Sequence, residues 1–158
     1  MITRPATGAD AAAIARIYNQ GIEDRVATFE TRLRSSEDIA KWFDGAHPVI
    51  VAEEDGHAIA FAATSVYRPR EGYAGIAECS IYVERAARGR GAGRAVLIAL
   101  QDAARAAGFH KLVSRVFPEN VASLRMLDSM GWTRVGIYRR HGRLDGVWRD
   151  VIIVEKLL

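Results

Sequence analysis

Arg88-Gly89-Arg90-Gly91-Ala92-Gly93-Arg94 stands between an alternating strand and a long alanine-rich run, and no other segment constrains this chain as much. Glycine on alternate positions at a strand-to-helix junction frees the backbone for turns that a Cβ forbids, so that N–H groups can converge on one point. The helix that follows aims its unpaired N–H groups and positive dipole end at the same point. Arg85, Arg88, Arg90 and Arg94 add positive charge around it. The segment reads as a cradle for a phosphate-type anion. It also places a strand–turn–helix unit in the middle of the chain.

The kind of phosphate can be narrowed. Gly91-x-Gly93 lacks the third glycine of a dinucleotide fingerprint, and no Gly-Lys-Ser/Thr follows as in a P-loop. Both of those motifs follow an early strand of a parallel sheet, whereas this turn comes mid-chain after Glu78-Cys79-Ser80-Ile81-Tyr82-Val83. Arg88-x-x-Gly91-x-Gly93 after such a strand resembles the pyrophosphate-binding motif of the GNAT N-acetyltransferase superfamily, whose co-substrate is acetyl-CoA. The resemblance implies that Arg88, Gly89, Arg90, Gly91, Ala92, Gly93 and Arg94 hold the pyrophosphate.

Composition bounds the rest. A chain of 158 residues is most simply one domain, 1–158, large enough to bury a core without disulfides or metal. No apolar run approaches the roughly 20 residues that span a bilayer, and the start of the chain lacks a signal-peptide pattern. A lone Cys79 excludes an internal disulfide and suits a reducing cytoplasm. His47, His57, His110 and His141 are scattered without metal-ligand spacing, so no metal site is expected. Lys and Arg exceed Asp and Glu by only 22 to 19, with basic clusters at 85–94 and at Arg139, Arg140, His141, Arg143 and Arg149. No aromatic-interleaved basic stripe accompanies them, which argues against nucleic acid and for a polyanionic cofactor and an anionic substrate.

The element pattern can be read along the chain. Ile2 to Arg4 is a short strand. Thr7 with Asp10, and later Ser35 with Asp38, resemble capping boxes that open helices to about Gln20 and over Glu37 to Phe43. Strands are expected at Pro48–Glu53, His57–Val66 and Ala74–Val83, with Glu54-Asp55-Gly56 as the first hairpin turn. The helix after the cradle runs to Ala107 and stops at Gly108. A strand at Lys111–Val116, a helix from Pro118-Glu119-Asn120 to Met130, and two strands near 132–140 and 147–157 complete the chain. The order β-α-α-β-β-β-α-β-α-β-β is α/β, a mixed central sheet with helices on both faces. It is the order of the GNAT fold.

Several residues carry chemistry. Glu78 lies in an otherwise apolar strand, on the face that alternation shares with Ser80 and Tyr82. A carboxylate there suits the deprotonation of an amine nucleophile, and equally suits an ion pair with an arginine. Position within the family pattern favours the general base. Cys79 has no histidine beside it in sequence and reads as an inert core thiol rather than a nucleophile. The resemblance further implies that Asn120 and Ser123 contact the pantetheine arm of CoA. It also implies that Ile81, Tyr82 and Val83, splayed from the neighbouring strand, offer it backbone groups.

Ala27-Thr28-Phe29-Glu30-Thr31, Tyr67-Arg68-Pro69-Arg70, Tyr73 and the tail from His141-Gly142-Arg143 to Trp148-Arg149-Asp150-Val151 resemble the phosphinothricin N-acetyltransferase family, in particular its arsinothricin-resistance branch. Those acceptors are glutamate analogues bearing an oxyanion, which the planar fork of arginine binds bidentately. Arg70 is the expected partner, with Phe29, Glu30, Tyr73 and His141 as pocket walls. Where many GNAT enzymes carry a proton-donating tyrosine, this chain has Leu127, so Tyr73, Tyr82, a water or thiolate departure remain open for that step. The expectation is a homodimeric, cytoplasmic acetyltransferase that moves acetyl directly to a small anionic amino acid. Methionine sulfoximine or sulfone as acceptor, and a non-catalytic sensor on the same fold, stay as alternatives.

Overall fold

A computed structural model describes residues 1–158. Its elements are β1 (Ile2–Pro5), α1 (Ala11–Asp24), α2 (Ser36–Ala40), β2 (Val49–Glu54), β3 (His57–Val66), β4 (Ile76–Val83), α3 (Ala92–Ala106), β5 (Lys111–Val116), α4 (Val121–Ser129), β6 (Thr133–Leu144) and β7 (Val147–Leu157). One seven-stranded sheet has the order β1-β2-β3-β4-β5-β7-β6. Every neighbouring pair is antiparallel except β4 and β5, which α3 joins as a crossover. No helix is long and apolar enough to cross a membrane.

The local chemistry behind these elements is visible at their ends. Asp10 accepts from Thr7 N at 2.8 Å, closing a single 3-10 turn before α1. The Ser35 box is reciprocal: Asp38 N donates to Ser35 Oγ at 3.2 Å and Ser35 N to Asp38 Oδ2 at 2.9 Å. Three expected boundaries move. α2 stops at Ala40, because Trp42 N and Phe43 N bond i−3 carbonyls and Asp44 Oδ1 then gathers the Ala46 and His47 amides into a turn. α1 runs past Gly21 to Asp24 because Tyr82 packs on that glycine, and ends at Arg25 with φ 59°. β6 continues to Leu144, since Asp145 and Gly146, with φ 51° and 78°, form the tight hairpin turn to β7.

The sheet divides the core. Twenty buried residues, among them Val96, Leu97, Leu100, Leu112 and Leu124, fill the α3–α4 face. Eleven, including Ile14, Ile17, Ile39, Phe61 and Tyr82, fill the α1–α2 face. A small third cluster of Phe117, Leu144 and Val151 sits with Phe29 over the far half of the sheet.

The feature that positions the site is an interruption. β4 pairs with β5 only through Ile76↔Lys111, Ala77↔Leu112 and Glu78↔Val113. Beyond that point β4 stays with β3 as far as Val83↔Ala60, and β5 stays with β7 as far as Val116↔Ile152. The two halves of the sheet part between Cys79 and Ser114, where Ser114 Oγ donates to the Cys79 carbonyl at 2.9 Å.

Candidate active site

A cavity of about 890 Å³ opens at this parting of the strands. Alternation along β4 sends Glu78, Ser80 and Tyr82 toward α1 and α2, and Ala77, Cys79, Ile81 and Val83 toward α3 and α4. Glu78, Ile81 and Tyr82 all line the cavity, as do Asn120 and Ser123 of α4, Phe29 and Glu30 from the loop after α1, and His141 of β6. These eight expected site residues therefore meet in one place, although they come from four segments of the chain.

Each is held by something specific. Glu78 is half-buried on the last register pair before the strands separate, with Oε1 3.2 Å from Arg115 Nε. Tyr82 is wedged between Tyr18, edge-on at 5.0 Å, and Phe61, stacked at 5.4 Å. Burial drives its phenol far above the ordinary range, so the hydroxyl stays protonated at neutral pH. Asn120 is the N-cap of α4: its Oδ1 accepts from Ser123 N at 3.3 Å, and its Nδ2 has no partner in the chain. Phe29 meets Phe117 edge-on at 4.8 Å and lies so close to Gly142 that a Cβ there would stand 2.8 Å from the ring. Glu30 is paired with Arg34 at 2.8 Å. Leu127 lines the cavity as a buried, wholly apolar side chain.

Cys79 reaches the cavity wall, but burial pushes its thiol up to about 12. A thiol held protonated at neutral pH is no nucleophile.

The cradle follows directly from β4. Gly89 and Gly91 have φ of 77° and 88°, in the left-handed region that glycine tolerates. Gly91 caps α3 without a side chain, and the amides of Gly91, Ala92, Gly93 and Arg94 have no acceptor in the chain. Gly93 packs against α4 and β4, where a Cβ would stand 3.4 Å from Met126 Sδ and Val83 Cγ2. The arginines are less free than their spacing implies. Arg85 and Arg88 share Asp24, each at 2.7 Å, and hold its carboxyl below the usual range, with the Arg85 hydrogen bond the larger cause. Arg90 pairs with Glu54 at 3.2 Å, and Arg94 bonds Ser129 Oγ. Val83 and residues 88–94 lie beyond the cavity rather than in its wall.

Arg70 and Tyr73 do not join this assembly. They lie on the exposed β3–β4 loop, where Arg70 caps a 3-10 turn through its carbonyl and Tyr73 packs edge-on against Tyr67 at 5.9 Å. Neither forms part of the cavity wall. The family resemblance and the affinity of arginine for an oxyanion pointed to Arg70, but nothing local to the loop records where it projects. In the other direction, the cavity contains residues not singled out by the sequence pattern: Arg115, Tyr18, Trp42, Lys41 and Phe117. Alternation on β5 supplied a usable signal for two of them, since Val113, Arg115 and Phe117 share the face opposite Leu112 and Val116.

A mixed sheet that parts beside a helix-capping glycine turn, with a carboxylate at the fork, sets a group of unpartnered backbone amides next to a cavity. Comparison with known proteins gives the family. Residues 14–132 match the Acetyltransferase (GNAT) family, and the chain belongs to it. An L-methionine sulfoximine/L-methionine sulfone acetyltransferase of Salmonella typhimurium is 32% identical, the match covering 98% of this chain and 93% of the relative. A phosphinothricin N-acetyltransferase of Streptomyces coelicolor is 31% identical over 98% of this chain and 95% of its own. An acetyltransferase of Salmonella typhimurium, solved with its cofactor acetyl-CoA, superposes with a TM-score of 0.95 at 32% identity, covering 100% of this chain and 94% of that one.

Proposed function

We propose that this enzyme transfers the acetyl group of acetyl-CoA to the α-amine of a small anionic amino-acid analogue of the phosphinothricin or arsinothricin type. The observation that carries the reading is the position of Glu78. It is the last residue of β4 paired with β5, it faces the acceptor side of the cavity, and the glycine cradle follows the end of the same strand after one 3-10 turn. Relatives that acetylate phosphinothricin and methionine sulfoximine support the substrate class.

Acetyl-CoA supplies an activated thioester. The unpartnered amides of Gly91 to Arg94 suit its pyrophosphate, with Arg88, Gly89 and Arg90 around them. The free inner edge of Ile81, Tyr82 and Val83, and the Nδ2 of Asn120 beside Ser123, suit the amide-bearing arm. Glu78 accepts the proton that the α-amine gives up as its nitrogen bonds to the acetyl carbon and the carbon–sulfur bond breaks. Leu127 gives no proton to the sulfur, and a thiol pKa near 8.5 makes departure as a thiolate accessible. With Cys79 protonated, the transfer is direct, without an acyl-enzyme. A cytoplasmic homodimer belongs to the same reading. Arg70 and Tyr73, outside the cavity of their own chain, would serve a neighbouring one, and edge strand β6 leaves Val135, Ile137 and Tyr138 exposed for a partner.

The test is thiol release from acetyl-CoA with arsinothricin, phosphinothricin, methionine sulfoximine, glutamate and short peptides, for the wild type and Glu78→Gln. Turnover confined to the amino-acid analogues is expected. The Gln variant should lose about 10²- to 10⁴-fold in kcat, the usual contribution of a general base, with acetyl-CoA binding intact. A wild type that binds acetyl-CoA yet acetylates nothing above the hydrolysis background is instead a sensor.

A further inference from the structure

The cavity has a negative and a positive group side by side at the fork of the sheet. Glu78 of β4 and Arg115 of β5 project to the same face from either side of the parting strands, and their Oε1 and Nε atoms are 3.2 Å apart. Arg115 has no other ionic partner and makes no hydrogen bond through its terminal nitrogens, and its side chain is 38% exposed. Its two terminal NH2 groups therefore remain as an open fork beside the carboxylate. The only other basic side chains of the wall are Lys41, at the exposed end of α2, and His141, on the exposed strand β6. Neither adjoins Glu78.

An α-amino acid carries its ammonium and its carboxylate on one carbon, so an adjacent anion and cation complement it head-on. From this geometry we infer that Arg115 is the receptor for the acceptor's α-carboxylate, placing the α-nitrogen against Glu78. The inference rests on Glu78 facing the acceptor amine, as in the reading above. It assigns the specificity to a residue inside the cavity of a single chain, independently of Arg70. A planar guanidinium with two free donors binds a carboxylate bidentately, and this geometry rejects a neutral amide or ester at the same position. Selection for a free α-carboxylate is then built into β5, while the side-chain oxyanion is left to other groups.

Equilibrium binding separates this from catalysis. Calorimetry on the CoA-loaded protein would compare L-methionine sulfone with its carboxamide, for wild type, Arg115→Lys and Arg115→Ala. The wild type should bind the acid about 10- to 100-fold more tightly than the amide, the range for one charged hydrogen-bonded pair. Arg115→Ala should bind acid and amide alike, at about the wild-type affinity for the amide, and Arg115→Lys should fall between. If Arg115 merely braces Glu78, its loss weakens acid and amide by the same factor, and the assignment is overturned. Equal binding of acid and amide by the wild type overturns it as well, while leaving the Glu78→Gln result to stand alone. Binding of neither removes the amino-acid acceptor itself.

Discussion

Gly21→Ala offers a test in which two effects of known size oppose each other. Gly21 lies inside α1, where alanine is favoured over glycine by about 1 kcal/mol. An added Cβ, however, would stand 2.5 Å from both Cδ1 and Cε1 of Tyr82, against the 3.5–4.0 Å of an ordinary carbon contact. Tyr82 cannot swing aside, because Tyr18 and Phe61 hold its ring at 5.0 and 5.4 Å and it is 9% exposed. α1 is equally fixed, since Ile14 and Ile17 are wholly buried beneath it. Overpacking of a tight core costs about 1–3 kcal/mol, so the net change should be a loss of about 1 kcal/mol. For a chain of this size that lowers Tm by about 2–4 °C. Calorimetry and urea unfolding should be run on Gly21→Ala, Tyr82→Ala and the double variant. With the ring removed, the same Gly21→Ala change should become stabilising, giving a coupling of about 2 kcal/mol. A Gly21→Ala protein more stable than the wild type, or a change equal in both backgrounds, would refute the packing argument. Tyr18 and Tyr82 wall the cavity, so the single variant should also raise the acceptor KM.

Two further outcomes follow from the backbone and from the ion pairs. Gly91→Val forces a β-branched residue to φ 88°, which costs about 1–3 kcal/mol, and should raise the acetyl-CoA KM at least tenfold while leaving acceptor KM nearly unchanged. Initial-rate kinetics with each substrate varied separates the two. Asp10 is bound by Arg4 at 2.8 and 2.9 Å, and that hydrogen bond, the largest cause, lowers its pKa. Its contribution is therefore complete above the unfolded aspartate pKa near 3.9 and is lost as pH falls through the lower folded value. Asp10→Asn should cost about 1–2 kcal/mol at pH 6 by urea unfolding, with the difference from wild type shrinking steadily below pH ~4.

The elements were legible where their signals are local. Ser35 and Asp38 cap α2 by the bonds their spacing requires, and Asp55-Gly56 turns the β2–β3 hairpin with φ of 51° and 78°. Asp145-Gly146 carries the same turn signal, and reading it would have extended β6 to Leu144. The end of α1 was different. Glycine at position 21 is a plausible stop in isolation, and only the ring of Tyr82, some sixty residues away, explains why the helix passes through it.

The site follows the same division. Alternation on β4 places Glu78, Ser80 and Tyr82 on one face with no knowledge of neighbours, and the cradle needs only its own glycines and the start of α3. Partners across the sheet are another matter. Arg115 meets Glu78 because β4 and β5 are parallel and in a particular register, and register between strands separated by a helix is not written in either strand alone. Asp24 likewise reaches Arg85 and Arg88 only because α1 lies along the end of β4. The free charge around the glycine turn is therefore smaller than the number of arginines there, and the arginine that lines the cavity of this chain is Arg115 rather than one from the β3–β4 loop. Under the proposed role of Arg115, the charge that meets an acceptor at the fork is the one the strand register brings to Glu78, and that register ends at Val113, two residues before Arg115.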